Sequence, residues 1–346
     1  MHNILSISKE QSLRLKGIAI LMMLYLHLFN RMSLVQQCEC FFYIGDVPFV
    51  HWLSRAANPV WLYLFLSGYG YSVKRKAIKE VLPSIFNIYL HWWVVLLFAL
   101  PLGLLFNPSR FNLSEIWGNI SAWNPTYNSE LWFLFPFVLL ILLQKSIFCL
   151  LDKIGNKLYL ALVLLTYLFC LFVFSAYGED SVKEYSRFLW ILLMVLYMFV
   201  PFSIGILFSN NKHKILNVKT ISNIKLSLAL AFVVIVKCFL TGIWDIIYQI
   251  PFFLCFVILC SNISYPEILG NMLKQLGKHS LSMWFIHSFI CYHIFSEQLY
   301  SLRYPLVIFV ALVIISYLIA IFVDKIANHF ICLLNKNVGL ETIKSK

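Results

Sequence analysis

Three histidines and a Ser-Gly pair interrupt otherwise apolar stretches of this sequence: His27, His91, His287 and Ser67-Gly68. A polar group in hydrocarbon is expensive and is a functional suspect by default. An imidazole, with an ordinary pKa of about 6.5, can take a proton from a hydroxyl at neutral pH. Lys16 precedes His27 by eleven positions, which on a helix sets the ring roughly 16 Å beyond the ammonium. His287 lies nine positions after Lys278, and Ser67 seven before Lys74. By depth alone the three imidazoles and Ser67 are expected in one layer. Singly, each has a plainer reading: His91 as an interhelical hydrogen-bonding residue, His293 likewise, and Ser67-Gly68 as a small-residue packing face.

The elements that must position these groups follow from composition. The chain has 346 residues, 61% of them hydrophobic and only 12% charged, with a mean hydropathy of +0.82. A soluble domain carries about 25% charged residues, so an ordinary cytosolic enzyme, a disordered chain and a small disulfide scaffold are excluded. The pattern reads as an all-α polytopic membrane protein with about ten transmembrane helices of about 20 residues each. The expected spans are 17–35, 57–73, 84–106, 129–150, 157–176, 188–208, 224–242, 246–263, 279–297 and 304–324. Of the 27 lysines and arginines, all but Arg31, Arg55, Arg110, Lys183, Arg187, Lys237 and Arg303 fall on the side of the N-terminus. That bias over short loops predicts both termini inside. The net charge of +12 is therefore a topology signal, and no nucleic-acid partner is expected.

Residues 1–346 read as a single membrane domain, with an amphipathic tail at 325–346 on the inner surface. The polar opening MHNILSISKEQSLRLK does not resemble a cleavable signal peptide. Six of the nine cysteines, Cys149, Cys170, Cys238, Cys255, Cys260 and Cys291, fall in expected spans as small hydrophobes. Cys38 and Cys40 share an outer loop and could be oxidised there. No spacing suits a metal, and neither a metal nor a bound cofactor is expected.

Four segments, LRLKGIAILMMLYLHLFNR, VWLYLFLSGYGYSVKRK, YNSELWFLFPF and HSLSMWFIHSF, together resemble the landmarks of the integral-membrane acyltransferase-3 family. The resemblance implies a ten- or eleven-span enzyme of the bacterial inner membrane that O-acylates surface or lipid-linked glycans, with acetyl-coenzyme A or another acyl-coenzyme A as donor substrate. It implies that His27 is the general base and that Glu130, where relatives have an acid or a histidine, is its catalytic partner. It implies donor-phosphate binding by Lys16 and by Arg75. The family usually has Arg where this chain has Lys16; lysine lacks the bidentate fork, so Arg14 is expected to share that role. Ser67, His287 and Trp132 are expected at the oxyanion or the acceptor.

The chemistry suits this layout. A hydroxyl is a poor nucleophile until its proton is taken, and a positioned base contributes about 10²–10⁴-fold. A carboxylate can orient the imidazole and stabilise its charged form. The rival from another class is a transporter or flippase of a lipid-linked glycan, with the buried histidines as a proton relay. Transporters commonly carry inverted repeats and paired broken helices, and neither is visible. The acceptor sugar, the acyl chain and the oligomeric state are not encoded in any of these motifs.

Overall fold

The computed structural model describes residues 7–210 and 221–337. Lys212, Lys214, Lys219, Lys344 and Lys346, with the end of the expected tail, lie outside the described residues. The ten principal helices are α1 (Lys9–Phe29), α2 (Pro59–Val73), α3 (Ile78–Phe106), α4 (Leu134–Leu142), α5 (Gln144–Tyr177), α6 (Arg187–Asn210), α7 (Asn223–Phe239), α8 (Gly242–Asn262), α9 (Glu267–Ser288) and α10 (Pro305–Asn337). A two-residue hairpin pairs Tyr43–Ile44 with Val47–Pro48 in the long loop after α1.

Each expected span coincides with helix, with corrections. By length and composition, α1, α3, α5, α6, α8 and α10 can cross a bilayer. The others are shorter or more polar: α2 has 15 residues, α7 has 17, and α4 only nine. The first span was expected to reach residue 35, but α1 ends at Phe29 with Asn30 as its C-cap. The segment expected to open the fourth span as α-helix is instead a 3₁₀ turn, Ser129–Phe133. The break between the fourth and fifth spans falls inside α5 at Gly155, whose φ of +76° few other residues adopt without strain. As far as it is described, the tail after Asp324 continues α10 to Asn337.

Local chemistry accounts for the helix starts. Ser8 and Gln11 close a capping box on α1, the serine Oγ accepting from Gln11 N at 3.1 Å and Gln11 Oε1 from Ser8 N at 2.9 Å. Asn58 caps α2, with Pro59 at its first position.

Glycines then set the packing. A Cβ on Gly17 would collide with the backbone carbonyl of Leu273, and one on Gly277 with that of Leu13. The backbones of α1 and α9 therefore touch. Small residues permit this approach where lipid supplies no hydrophobic drive between helices. The pair is parallel and in register, because ten residues beyond Gly17 and Gly277 come His27 and His287, whose rings are 5.0 Å apart. Gly68 on α2 and Gly205 on α6 make a second contact of this kind, against the carbonyls of Phe202 and Phe65.

Candidate active site

The site is built where α1 and α9 end together. His27, in the last turn of α1, is 8% exposed and His287 is fully buried. The tyrosine hydroxyl of Tyr292, in the π-helical turn that follows α9, donates to the backbone carbonyl of His27. That hydroxyl hydrogen is thus committed. The 3.3 Å contact between Tyr292 Oη and His27 Nδ1 must then be donated by the ring. His27 consequently carries its hydrogen on Nδ1 and turns Nε2 toward Glu130, whose Oε2 is 3.5 Å away. Neither atom carries a hydrogen in that tautomer, so the contact is not a direct hydrogen bond; a basic nitrogen and a carboxylate face one point.

Glu130 reaches this point because the polar stretch before α4 runs into the protein. Non-helical backbone at membrane depth survives only where its polar groups find partners, and here they do. Asn128 Oδ1 accepts from the Glu130 amide at 3.1 Å, and Asn128 Nδ2 donates to the Phe285 carbonyl of α9 at 3.2 Å. Buried Asn119 accepts from Tyr127 N at 2.9 Å and donates to Glu115 O and Thr126 Oγ1. The Asn119 carbonyl accepts from Trp92 Nε1 of α3 at 2.8 Å. Glu130 is also ion-paired to Arg31 at 3.4 Å, whose guanidinium lies 4.3 Å over the Tyr292 ring. Arg110, on the loop after α3, is held below the ordinary guanidinium value by burial, with Glu130 opposing the shift.

His287 adjoins His27, their ring centroids 5.0 Å apart. Its Nδ1 is 2.7 Å from the Trp284 carbonyl, an obligate acceptor, so the hydrogen is on Nδ1. Nε2 is left buried without a partner. A neutral His287 therefore offers a lone pair beside His27, not the hydrogen-bond donor that an oxyanion requires.

The expected four-group layer divides. Ser67 donates its hydroxyl to the Tyr63 carbonyl at 2.8 Å and lies lower, beside Lys16. His91 joins a separate cluster: its Nδ1 meets the Asn87 carbonyl at 2.7 Å and its Nε2 is 3.5 Å from Asp324. His279 Nδ1 reaches the same carboxylate at 2.5 Å, and Ser282 donates to it. Trp132 follows Glu130 in sequence, but its ring packs on Phe133 and on Trp190 of α6.

The three expected donor-phosphate residues do not converge. Lys16 lines a cavity of about 230 Å³ with Met23, Ser67, Phe133, Ser280 and Trp284, which runs up α1 and α9 toward the histidines. Arg14, two residues earlier, is turned by about 200°; it pairs with Glu10 at 2.6 Å and lies against Gly270. Arg75 pairs with Asp152 at 2.6 Å and covers Phe148. Among the described residues no group of three side chains is arranged to hold a metal ion.

Sequence reasoning passed over Tyr292, Asn128, Asp324 and His279. Only Asp324, a carboxylate at the end of an apolar run, left a signal that could have drawn attention.

A bundle of apolar helices enclosing a histidine and a carboxylate has the form of a multi-pass membrane protein. The chain matches the acyltransferase domain of the acyltransferase-3 family over residues 14–325 and belongs to that family of membrane O-acyltransferases. The protein is thus a membrane acyltransferase. No curated protein and no solved structure matches it.

Proposed function

We propose that the protein moves an acetyl group from cytoplasmic acetyl-coenzyme A to a hydroxyl of a surface or lipid-linked glycan. The reading includes ten membrane crossings, both termini inside, and a bacterial inner membrane as the home. The observation that carries it is the approach of His27 Nε2 to the Glu130 carboxylate within 3.5 Å, above a cavity that descends to Lys16. The arrangement suits a thioester entering from the Lys16 end and a hydroxyl entering from the Arg31 end.

In this mechanism the acceptor hydroxyl attacks the thioester carbonyl while His27 Nε2 takes its proton. The tetrahedral intermediate expels the coenzyme A thiolate, which receives that proton back from His27. Glu130 stabilises the transient imidazolium, and the Nδ1–H bond to Tyr292 keeps the ring in the tautomer that leaves Nε2 basic. His287 Nε2, unpaired and adjacent, accepts a hydrogen bond from the acceptor. Lys16 meets the donor along its arm. Arg14, Arg75, Ser67 and Trp132 act at one remove, the first two by shaping the charge of the inner surface.

The test is His27→Ala in cells, with acetylation of surface glycans measured beside membrane protein levels. Loss of acetylation at normal protein level supports the assignment. Unchanged acetylation overturns the role of His27. Translocation of an unmodified glycolipid by the wild type, with no acetyl transfer, would favour a flippase.

A further inference from the structure

Two arginines stand at the Arg31 end of the site, and one carboxylate serves both. Arg31 pairs with Glu130 at 3.4 Å and covers the Tyr292 ring at 4.3 Å. Its side chain is half exposed while that of Glu130 is nearly buried, so an acceptor reaches Glu130 past the guanidinium. Arg110 lies in the field of the same carboxylate and of Arg31. Among the described residues it makes no ion pair. Its side chain makes one hydrogen bond, from Nε to the Tyr127 carbonyl at 3.5 Å, a distance at which such a bond is weak. The terminal amino groups are left without an acceptor. Two guanidiniums against one carboxylate leave a positive charge over, and protonation of any nearby histidine would only add to it.

The backbone at Arg110 is fixed from both sides. Phe111 beside it is fully buried, stacked on Tyr127 at 5.2 Å and seated against Gly103 of α3. The Asn107 carbonyl accepts from the Arg110 amide at 3.1 Å, and Asn107 Nδ2 donates to the His293 carbonyl at 3.1 Å. That turn ties the arginine's loop to the π-helical segment carrying Tyr292 and His293. His293 is 7% exposed, and its Nε2 is buried without a partner. Like charges held close together repel, and a bound anion would relieve that repulsion. The planar fork of a guanidinium matches a carboxylate or a phosphate in two parallel hydrogen bonds. Glu130 lies 3.5 Å from His27 Nε2 and 3.4 Å from Arg31, which puts the excess charge within a sugar or two of the reacting hydroxyl.

We infer that the acceptor is an acidic glycan: the sugar that is acetylated, or its neighbour, carries a carboxylate or a phosphate that Arg110 binds with Arg31 beside it. The inference rests on the reading that His27 serves a glycan hydroxyl, and it names the class of that glycan. Arg110 is a specificity residue here, since it holds the acceptor without touching the reacting atoms. No covalent step is added to the transfer already described.

The experiment is acetyl transfer by the detergent-purified full chain, with acetyl-coenzyme A as donor. The acceptor probe is the de-O-acetylated surface glycan of cells that carry the protein. It is offered untreated, with its carboxylates reduced to alcohols, and with its phosphates cleaved by hydrogen fluoride. One of the two treatments is expected to raise KM by about tenfold or more, and which one does so identifies the anion. Arg110→Gln should raise KM for the untreated glycan by the same order with kcat little changed, and Arg110→Lys should recover part of the loss. Arg303→Gln, which removes a charge already paired to Glu39, should behave as wild type. Undiminished transfer to both treated glycans, or an unchanged KM in Arg110→Gln, overturns the inference while the acetyl transfer itself stands. No transfer to the untreated glycan by a folded wild type overturns the proposed function and the inference with it. A rise in KM seen in phosphatidylglycerol vesicles but not in detergent assigns Arg110 to a lipid headgroup and overturns the inference.

Discussion

The Tyr292 hydroxyl gives its proton to the backbone carbonyl of His27 and receives the Nδ1–H of the same residue. One side chain thereby selects the imidazole tautomer, because a hydroxyl whose hydrogen is already committed can only accept from the ring. Tyr292→Phe removes the acceptor and leaves the packing of the ring. Losing one such bond costs about 1 kcal/mol of positioning, or about fivefold in rate. Turnover of acetyl donor by membranes containing Tyr292→Phe is expected to fall by that order with protein level unchanged. Full activity in the variant would remove Tyr292 from the mechanism.

Glu130 faces the opposite nitrogen of the same ring and also holds Arg31. Glu130→Gln keeps the shape and deletes the charge. The expected loss is at least about 10²-fold, the lower end for general-base catalysis, because His27 loses the charge that stabilises its imidazolium. Steady-state rates at saturating donor check this, and a decrease of less than tenfold would reduce Glu130 to a structural role.

The contact of α1 with α9 is made by backbones. Gly277→Val drives a branched side chain into the Leu13 carbonyl, and overpacking of this kind costs about 1–3 kcal/mol when side chains can yield. Here the obstacle is main chain, so a drop in the thermal midpoint of the purified protein is expected to be large. Gly70→Val is the control, since a Cβ there would meet open space. Equal midpoints for the two variants would refute the close approach.

Cys38 and Cys40 lie in the loop after α1, both as free thiols. Burial, helped by the neighbouring Cys40, pushes the Cys38 thiol up to about 11. Only the thiolate reacts with an electrophile, so Cys38 stays largely unreactive at pH 7. Its maleimide labelling rate should rise about tenfold per pH unit until pH approaches that value. A rate already levelling near pH 8 would contradict the burial.

The depth of His27 and of His287 was legible in the sequence, because eleven positions from Lys16 and nine from Lys278 carry both rings to one level of two parallel helices. Depth without azimuth was the limit. His91 shared that reading, yet it faces Asp324 across α3 and α10. Arg14 and Lys16 are two positions apart and so point to different faces of α1, which a residue-type argument cannot separate. The place of Glu130 was hidden for another reason: a buried loop has no periodicity, and its course is set by Asn119 bonding within the loop, to Glu115, Thr126 and Tyr127, and by Asn128 bonding to the Phe285 carbonyl far along the chain. Tyr292 was masked by the abundance of aromatics, 17% of the sequence.

The ten-residue interval that separates Gly17 from His27 and Gly277 from His287 bears on which length changes the chain can absorb. Adding or deleting one residue inside either interval would turn its imidazole by about 100° and shift it by about 1.5 Å along the axis, while the glycine contact stayed in place. The exposed turn at 41–46 carries no such constraint. A scan of single-residue insertions should therefore divide the protein into tolerant loops and two short intolerant rulers, one on each helix, far more sharply than a scan of substitutions would.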